Sequence, residues 1–160
     1  MMNKVKIFKL VISVLVCQAA GLIGSVFTAP NIATWYAGVA KPAFNPPNWL
    51  FAPVWTTLFL LMGISLYLVF ENGLEKKDTR FAVSVFGVQL ILNIIWSAVF
   101  FGLQNPFLGL VEIIVLWLAI LANIVLFCRI SKIAGYLLIP YILWVSFAAF
   151  LNYNIWILNL

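Results

Sequence analysis

The sequence predicts an all-α integral membrane bundle of five transmembrane helices. Of its 160 residues, 66% are hydrophobic and only 8% charged, whereas a soluble domain devotes about a quarter of its residues to charge. Mean hydropathy is +1.15. The few charges leave long uncharged stretches, Leu10–Phe27, Leu50–Phe70, Phe81–Val111, Ile113–Cys128 and Ile133–Leu160, several of which match the roughly 20 apolar residues that cross a bilayer.

The first span is predicted over Lys6–Phe27. Basic residues before an apolar run resemble a signal peptide, but the run is long, Phe27 and Ala29 make a poor cleavage site and Pro30 follows, so it reads as a retained span. Cys17 with Gly21, and Ala20 with Gly24 and Thr28, stand four apart; such small residues let helix backbones approach, either a neighbouring helix or a second subunit. Trp49–Phe70 forms the second span, stopped by Asn72-Gly73, and Glu71–Thr79 mixes charges as a solvated turn does. Phe81–Val111 is too long for one crossing. The breaker cluster Gly102-Leu103-Gln104-Asn105-Pro106 divides it into a third span, Arg80–Phe101, and a fourth, Pro106–Cys128. Ala134–Leu158 completes the five. At ~1.5 Å rise per residue each is about 30 Å or longer. With no internal repeat or low-complexity tail, residues 1–160 read as one domain whose function resides in the bundle or its connections.

Eight cations (Lys4, Lys6, Lys9, Lys76, Lys77, Arg80, Arg129, Lys132) fall on one side of these spans and Lys41 alone on the other. By the positive-inside rule the N-terminus is cytoplasmic. The net charge of +5 therefore reports topology and attraction to anionic lipid headgroups; no basic cluster sits on a soluble domain, so nucleic acid is not an expected partner. Cys17 and Cys128 lie within spans, without CxxC spacing and in a chain without histidine, which argues against a disulfide framework and a metal site.

The connection between the first two spans holds the most information. Residues 35–55 read WYAGVAKPAFNPPNWLFAPVW, with three of seven tryptophans and four of seven prolines. Joining helices requires none of these rings, so the segment reads as a proline-stiffened, aromatic cover over a cavity for a flat apolar ligand; Trp49 fits the interfacial aromatic belt equally well. In span three Gln89, Asn93 and Trp96 share one helix face, and amides in hydrocarbon need partners, so this face points inward, to bond other helices, to contact ligand, or both. Trp55, Phe59 and Met62 or Gly63 form a stripe on span two, and Pro140, Trp144 and Ala148 one on span five. Converging, these surfaces would enclose an apolar pocket with a few polar groups, the usual form of a small-molecule site. Glu112, the lone carboxylate within a span, is expected to reach headgroups or a cavity. No lysine lies mid-span for a Schiff base, and the commonest haem ligand and general base, histidine, is missing.

Trp35-Tyr36, Lys41-Pro42, Pro46-Pro47, Trp49, Pro53-Val54-Trp55, Asn93-Ile94-Ile95-Trp96-Ser97 with Phe100-Phe101, and Pro140-Tyr141 followed by Trp144 and Ala148 together resemble the signature of the translocator protein family (TspO/MBR), the tryptophan-rich sensory proteins and peripheral-type benzodiazepine receptors. The resemblance covers the whole chain. It implies a five-helix bundle, often pairing as a homodimer, whose cavity binds protoporphyrin-like tetrapyrroles, sterols and synthetic lipophiles, with no resident cofactor; porphyrin is the ligand. It further implies Tyr36, Trp55, Phe59, Asn93, Trp96, Trp144 and Ala148 as pocket residues, Trp35, Pro42, Pro46 and Pro47 as lid residues, and Trp55 and Trp144 as the rings nearest any light- and oxygen-dependent porphyrin breakdown. The span-five sterol pattern lacks its basic residue after Leu151 and Tyr153, which argues against sterol binding by that route. The expected function is a porphyrin receptor or sensor in a prokaryotic cell membrane, the alternative a transporter of tetrapyrroles, sterols or other lipophiles.

Overall fold

The computed structural model describes residues 4–160. Its elements run α1 Lys4–Ile32, α2 Trp35–Gly38, α3 Asn48–Phe70, α4 Lys77–Ser97, a π-helical turn Ala98–Gly102, α5 Pro106–Ile130, α6 Lys132–Leu137 and α7 Ile139–Leu158. Among the described residues there is no strand, and five helical segments are long and apolar enough to cross a membrane: α1, α3, α4 with its π turn, α5, and α6 with α7. The protein is an integral membrane helical bundle.

Several helix ends differ from the sequence expectation. α1 continues through Pro30 to Ile32; the proline withholds the amide that would bond Val26 O, and in the same turns Asn31 donates to Phe27 O at 2.8 Å and Thr34 to Pro30 O at 2.9 Å. The fifth span starts at Lys132, with Ser131 accepting from the Ala134 amide as its cap, and it is interrupted at Leu138. Pro140 explains the interruption, since it lacks the amide that would bond Tyr136 O and its ring crowds that carbonyl. Gly73 ends the second span as expected, at φ +92°, a conformation open mainly to glycine.

Close packing follows from the small residues. The stripe on α1 faces into the bundle: Cys17, Ala20 and Gly24 are buried. A Cβ on Gly24 would lie 3.2 Å from Ser97 Oγ on α4, and one on Gly63 only 2.6 Å from the Val14 Cα. These contacts answer the sequence-level alternative in favour of neighbouring helices. α4 and α5 meet through stacked Phe86 and Phe127, ring centres 5.4 Å apart. At the basic end, Glu71 receives Lys6 and Lys9 at 3.1 Å each, so part of the expected solvated turn is tied to α1. These two cations hold the Glu71 carboxyl below the usual carboxylate range.

α1 and α3, in close contact at Val14 and Gly63, leave space between them toward the opposite end of the bundle. The first connection closes that end.

Candidate functional site

A cavity of about 380 Å³ occupies the space beneath the connection. α2 contributes Tyr36, α3 Phe51, Trp55 and Phe59, α4 Asn93 and Trp96, the π turn Phe100 and Phe101, and α7 Trp144, Ala148, Leu151 and Asn152. All seven residues expected to line a pocket thus meet at one void. Trp55 and Phe59 stack with centres 5.7 Å apart, and Trp96 and Phe100 at 5.2 Å, both pairs following from i, i+4 spacing on one helix face. The π turn lets Phe100 and the adjacent Phe101 both be buried on the cavity side; their rings lie edge to face at 4.9 Å, a favourable aromatic geometry.

Gly21 makes room for this wall. A Cβ there would come within 2.6 Å of the Phe59 ring, so any larger residue would push the ring toward the void. On the side facing lipid the wall is incomplete: Leu22 lines the cavity yet is 69% exposed, and Ser25, Ala52 and Thr56 beside it are exposed too. The opening lies between α1 and α3, bridged lower down by Gln18 Nε2 donating to Thr56 O at 3.0 Å.

Polar groups in the wall are mostly engaged within the protein: Ser25, Thr28 and Thr56 bond carbonyls of their own helices. Gln89 Nε2 and Asn93 Nδ2 each donate to the Tyr141 hydroxyl at 2.7 Å. Of these amides Asn93 alone also lines the cavity, so the face of the third span serves helix bonding at all three positions and meets the cavity at two, Asn93 and Trp96. Trp96 Nε1 donates to Asn152 Oδ1 at 3.3 Å, and Asn152 Nδ2 to Pro106 O at 2.7 Å. The indole N–H of Trp144 is buried without an acceptor. The lining side chains carry no formal charge. Such a wall can stack on a flat ring system and offer it isolated hydrogen bonds.

The connection is held by its own contacts. Tyr36 is buried, and its hydroxyl donates to Asn45 Oδ1 at 2.8 Å; burial pushes this phenol up to about 12, so it remains a neutral donor. Lys41 donates to Val39 O at 2.7 Å with its ammonium 4.7 Å from the Tyr36 ring centre. Trp35 packs behind the lining, edge-on to Phe100 at 5.5 Å and Phe101 at 6.2 Å. Pro42, Pro46 and Pro47 also stay off the lining and shape the backbone: Asn45 N bonds Pro42 O at 2.9 Å, and Pro47, in extended conformation, caps α3. Trp49 points away, 71% exposed.

Three sequence expectations need correction. Pro140 is exposed and off the cavity, its place in the stripe taken by the helix break it causes. Met62 and Gly63 lie below the void in close packing. Glu112 is not in the lining of this cavity, and both its carboxyl oxygens are enclosed by protein without a hydrogen-bond partner; it lies three residues beyond buried Gly109, on the same face of α5. Sequence reasoning also missed Tyr141 as the hub joining α4 to α7. A tyrosine in an apolar span needs a partner for its hydroxyl, a signal that was there to read.

Comparison with known proteins adds an independent line. Residues 13–157 match the TspO/MBR family. The chain is 52% identical over 153 residues to the tryptophan-rich protein TspO of Archaeoglobus fulgidus, covering 96% of this chain and 98% of that one. It is 48% identical over 159 residues to the TspO of Chlorobaculum tepidum, covering 99% of each, and 36% identical over 135 residues to the human translocator protein, covering 84% of this chain and 80% of the human one.

Proposed function

The chain belongs to the TspO/MBR family, and on that premise we propose that it is a membrane receptor or sensor that binds a porphyrin, or a similar flat lipophile, in the cavity beneath the first connection. The carrying observation is the convergence of Tyr36, Trp55, Trp96, Phe100 and Trp144 from four segments of the chain onto one uncharged void of about 380 Å³. That volume falls within the range of small-molecule sites, roughly 300–1,000 Å³. Aromatic walls favour a conjugated ring by stacking, and the uncharged lining favours a lipophilic one.

Titration of the purified protein with protoporphyrin, read as quenching of tryptophan fluorescence, tests this reading. Saturable quenching is expected, weakened by Trp55→Phe and by Trp144→Phe; saturable binding insensitive to both changes would place the ligand elsewhere.

A second reading is transport. The opening between α1 and α3, where exposed Leu22 borders the cavity, supports exchange of a lipophile with the bilayer. Relatives carry the names "tryptophan-rich sensory protein" and "translocator protein", so the family's names accommodate both readings. Protein-dependent movement of porphyrin in proteoliposomes is the discriminating measurement. Light-dependent porphyrin breakdown is a further proposal: excited porphyrin would react with dioxygen beside Trp55 and Trp144, and bleaching on illumination at the rate of free porphyrin would exclude it. We place the N-terminus in the cytoplasm, since the eight cations of one side include Lys4, Lys6 and Lys9. A prokaryotic cell membrane fits the 52% and 48% identity to the Archaeoglobus fulgidus and Chlorobaculum tepidum proteins, although the Rhodobacter capsulatus and Cereibacter sphaeroides proteins, at 36% and 33%, are no more similar than the human one at 36%.

A further inference from the structure

The connection over the cavity is tied to the far end of α7 by one residue that neither lines the void nor belongs to the aromatic signature. Asn159 uses both ends of its amide on one alanine: Oδ1 accepts from the Ala40 amide at 3.0 Å, and Nδ2 donates to the Ala40 carbonyl at 2.9 Å. This is the pairing one strand residue makes with another, here between positions 119 residues apart. The same Nδ2 donates to Ile155 O at 2.7 Å, which fixes the side chain against its own helix, and Ile155 lines the cavity. Nearby, Phe44 stacks on Phe150 of α7 with centres 5.3 Å apart and 15° between planes. Phe44 also meets Phe147 of α7 edge to face at 6.4 Å, so the connection rests on α7 through the Phe44 ring contacts and one amide clasp.

We propose that Asn159 is a positioning residue that holds the connection closed over the cavity, so that its two bonds to Ala40 set how fast a ligand escapes. The inference rests on the reading that the cavity takes a ligand. Two net hydrogen bonds at the weak end of the usual range correspond to roughly a three- to tenfold change in an opening equilibrium. Pocket contacts themselves are untouched when Asn159 changes, so the effect falls on rates and on exposure of the connection.

The experiment pairs two readouts on the full chain in lipid nanodiscs. Hydrogen–deuterium exchange across residues 36–47 is measured without ligand, and protoporphyrin dissociation is measured by recovery of tryptophan fluorescence. Asn159→Ala is expected to speed exchange at Ala40 and to raise the dissociation rate roughly three- to tenfold. Asn159→Asp, which keeps an acceptor for the Ala40 amide but sets its second carboxylate oxygen against the Ala40 and Ile155 carbonyls, should speed exchange at least as much as Asn159→Ala. Asn154→Ala is the control, because Asn154 bonds only within α7, to Phe150 O. Unchanged exchange in Asn159→Ala overturns the clasp; faster exchange with unchanged dissociation overturns its control of escape. Should the unaltered protein fail to bind protoporphyrin, the ligand reading falls and the exchange readout alone decides the clasp, faster exchange supporting it and unchanged exchange overturning it.

Discussion

Adding one methyl group at Gly63 tests the packing that shapes the whole bundle. In Gly63→Ala the new Cβ would sit 2.6 Å from the Val14 Cα and 3.1 Å from Ser13 O, whereas non-bonded carbons rest at about 3.5–4.0 Å. The obstructing atoms are backbone, so no rotamer change relieves the clash and α1 must move away from α3 by about 1 Å. Overpacking of this kind costs ~1–3 kcal/mol. Alanine's advantage over glycine inside a helix returns roughly 0.5–1 kcal/mol, leaving a net loss of up to about 2.5 kcal/mol. Gly87→Ala is the matched opposite: nothing lies within 4 Å of its added Cβ, so only the helix gain remains and stability should rise. Both variants are compared with the parent by SDS titration of the detergent-solubilised protein, followed by far-UV circular dichroism. The reasoning is refuted if Gly63→Ala proves as stable as Gly87→Ala, since α1 and α3 could not then be in backbone contact at this level.

Three further outcomes follow from the polar groups. Tyr141→Phe removes the acceptor shared by Gln89 and Asn93 and should destabilise by about 2 kcal/mol or more, given ~1–3 kcal/mol for each buried group left unmet; the same SDS titration checks it. Glu112→Gln should leave stability unchanged or higher, because an unpaired carboxyl enclosed by protein gains nothing from ionising, and a loss above about 2 kcal/mol would instead indicate an ionic partner. At the basic end, Lys6 and Lys9 hold the Glu71 carboxyl below its ordinary range, so its contribution is fully present above the unfolded-state value and disappears as pH falls through the lower folded-state value. Thermal stability measured from neutral to acid pH should therefore decline more in the parent than in Glu71→Gln.

The membrane character, the five crossings and the side bearing the cations were legible because each rests on one-dimensional quantities: the length of an uncharged run, the position of Gly or Pro, the count of Lys and Arg. Helix ends were less so. The first span was expected to end at Phe27, yet α1 runs to Ile32 with Pro30 inside it; Pro140, read as part of a stripe, breaks the fifth span. The candidate site was legible in its rings, since tryptophans in a connection and on helix stripes have few other reasons to gather. Its polar wiring was not. Gln89 and Asn93 announced a need for partners without naming Tyr141, and Glu112 gave no sign that its carboxyl would be enclosed.

By itself the sequence determined that this chain enters a membrane, how many times it crosses, and which side chains have aromatic or amide chemistry to offer a ligand, because hydropathy and spacing act along the chain. Only the tertiary structure decided which stripes face one another, that Phe100 and Phe101 share one void through a π turn, and that Asn159 grips Ala40. The reason is geometric: such contacts depend on the rotation and depth of helices packed backbone to backbone at glycines, and a shift of one residue in that register would turn each of these groups toward a different neighbour.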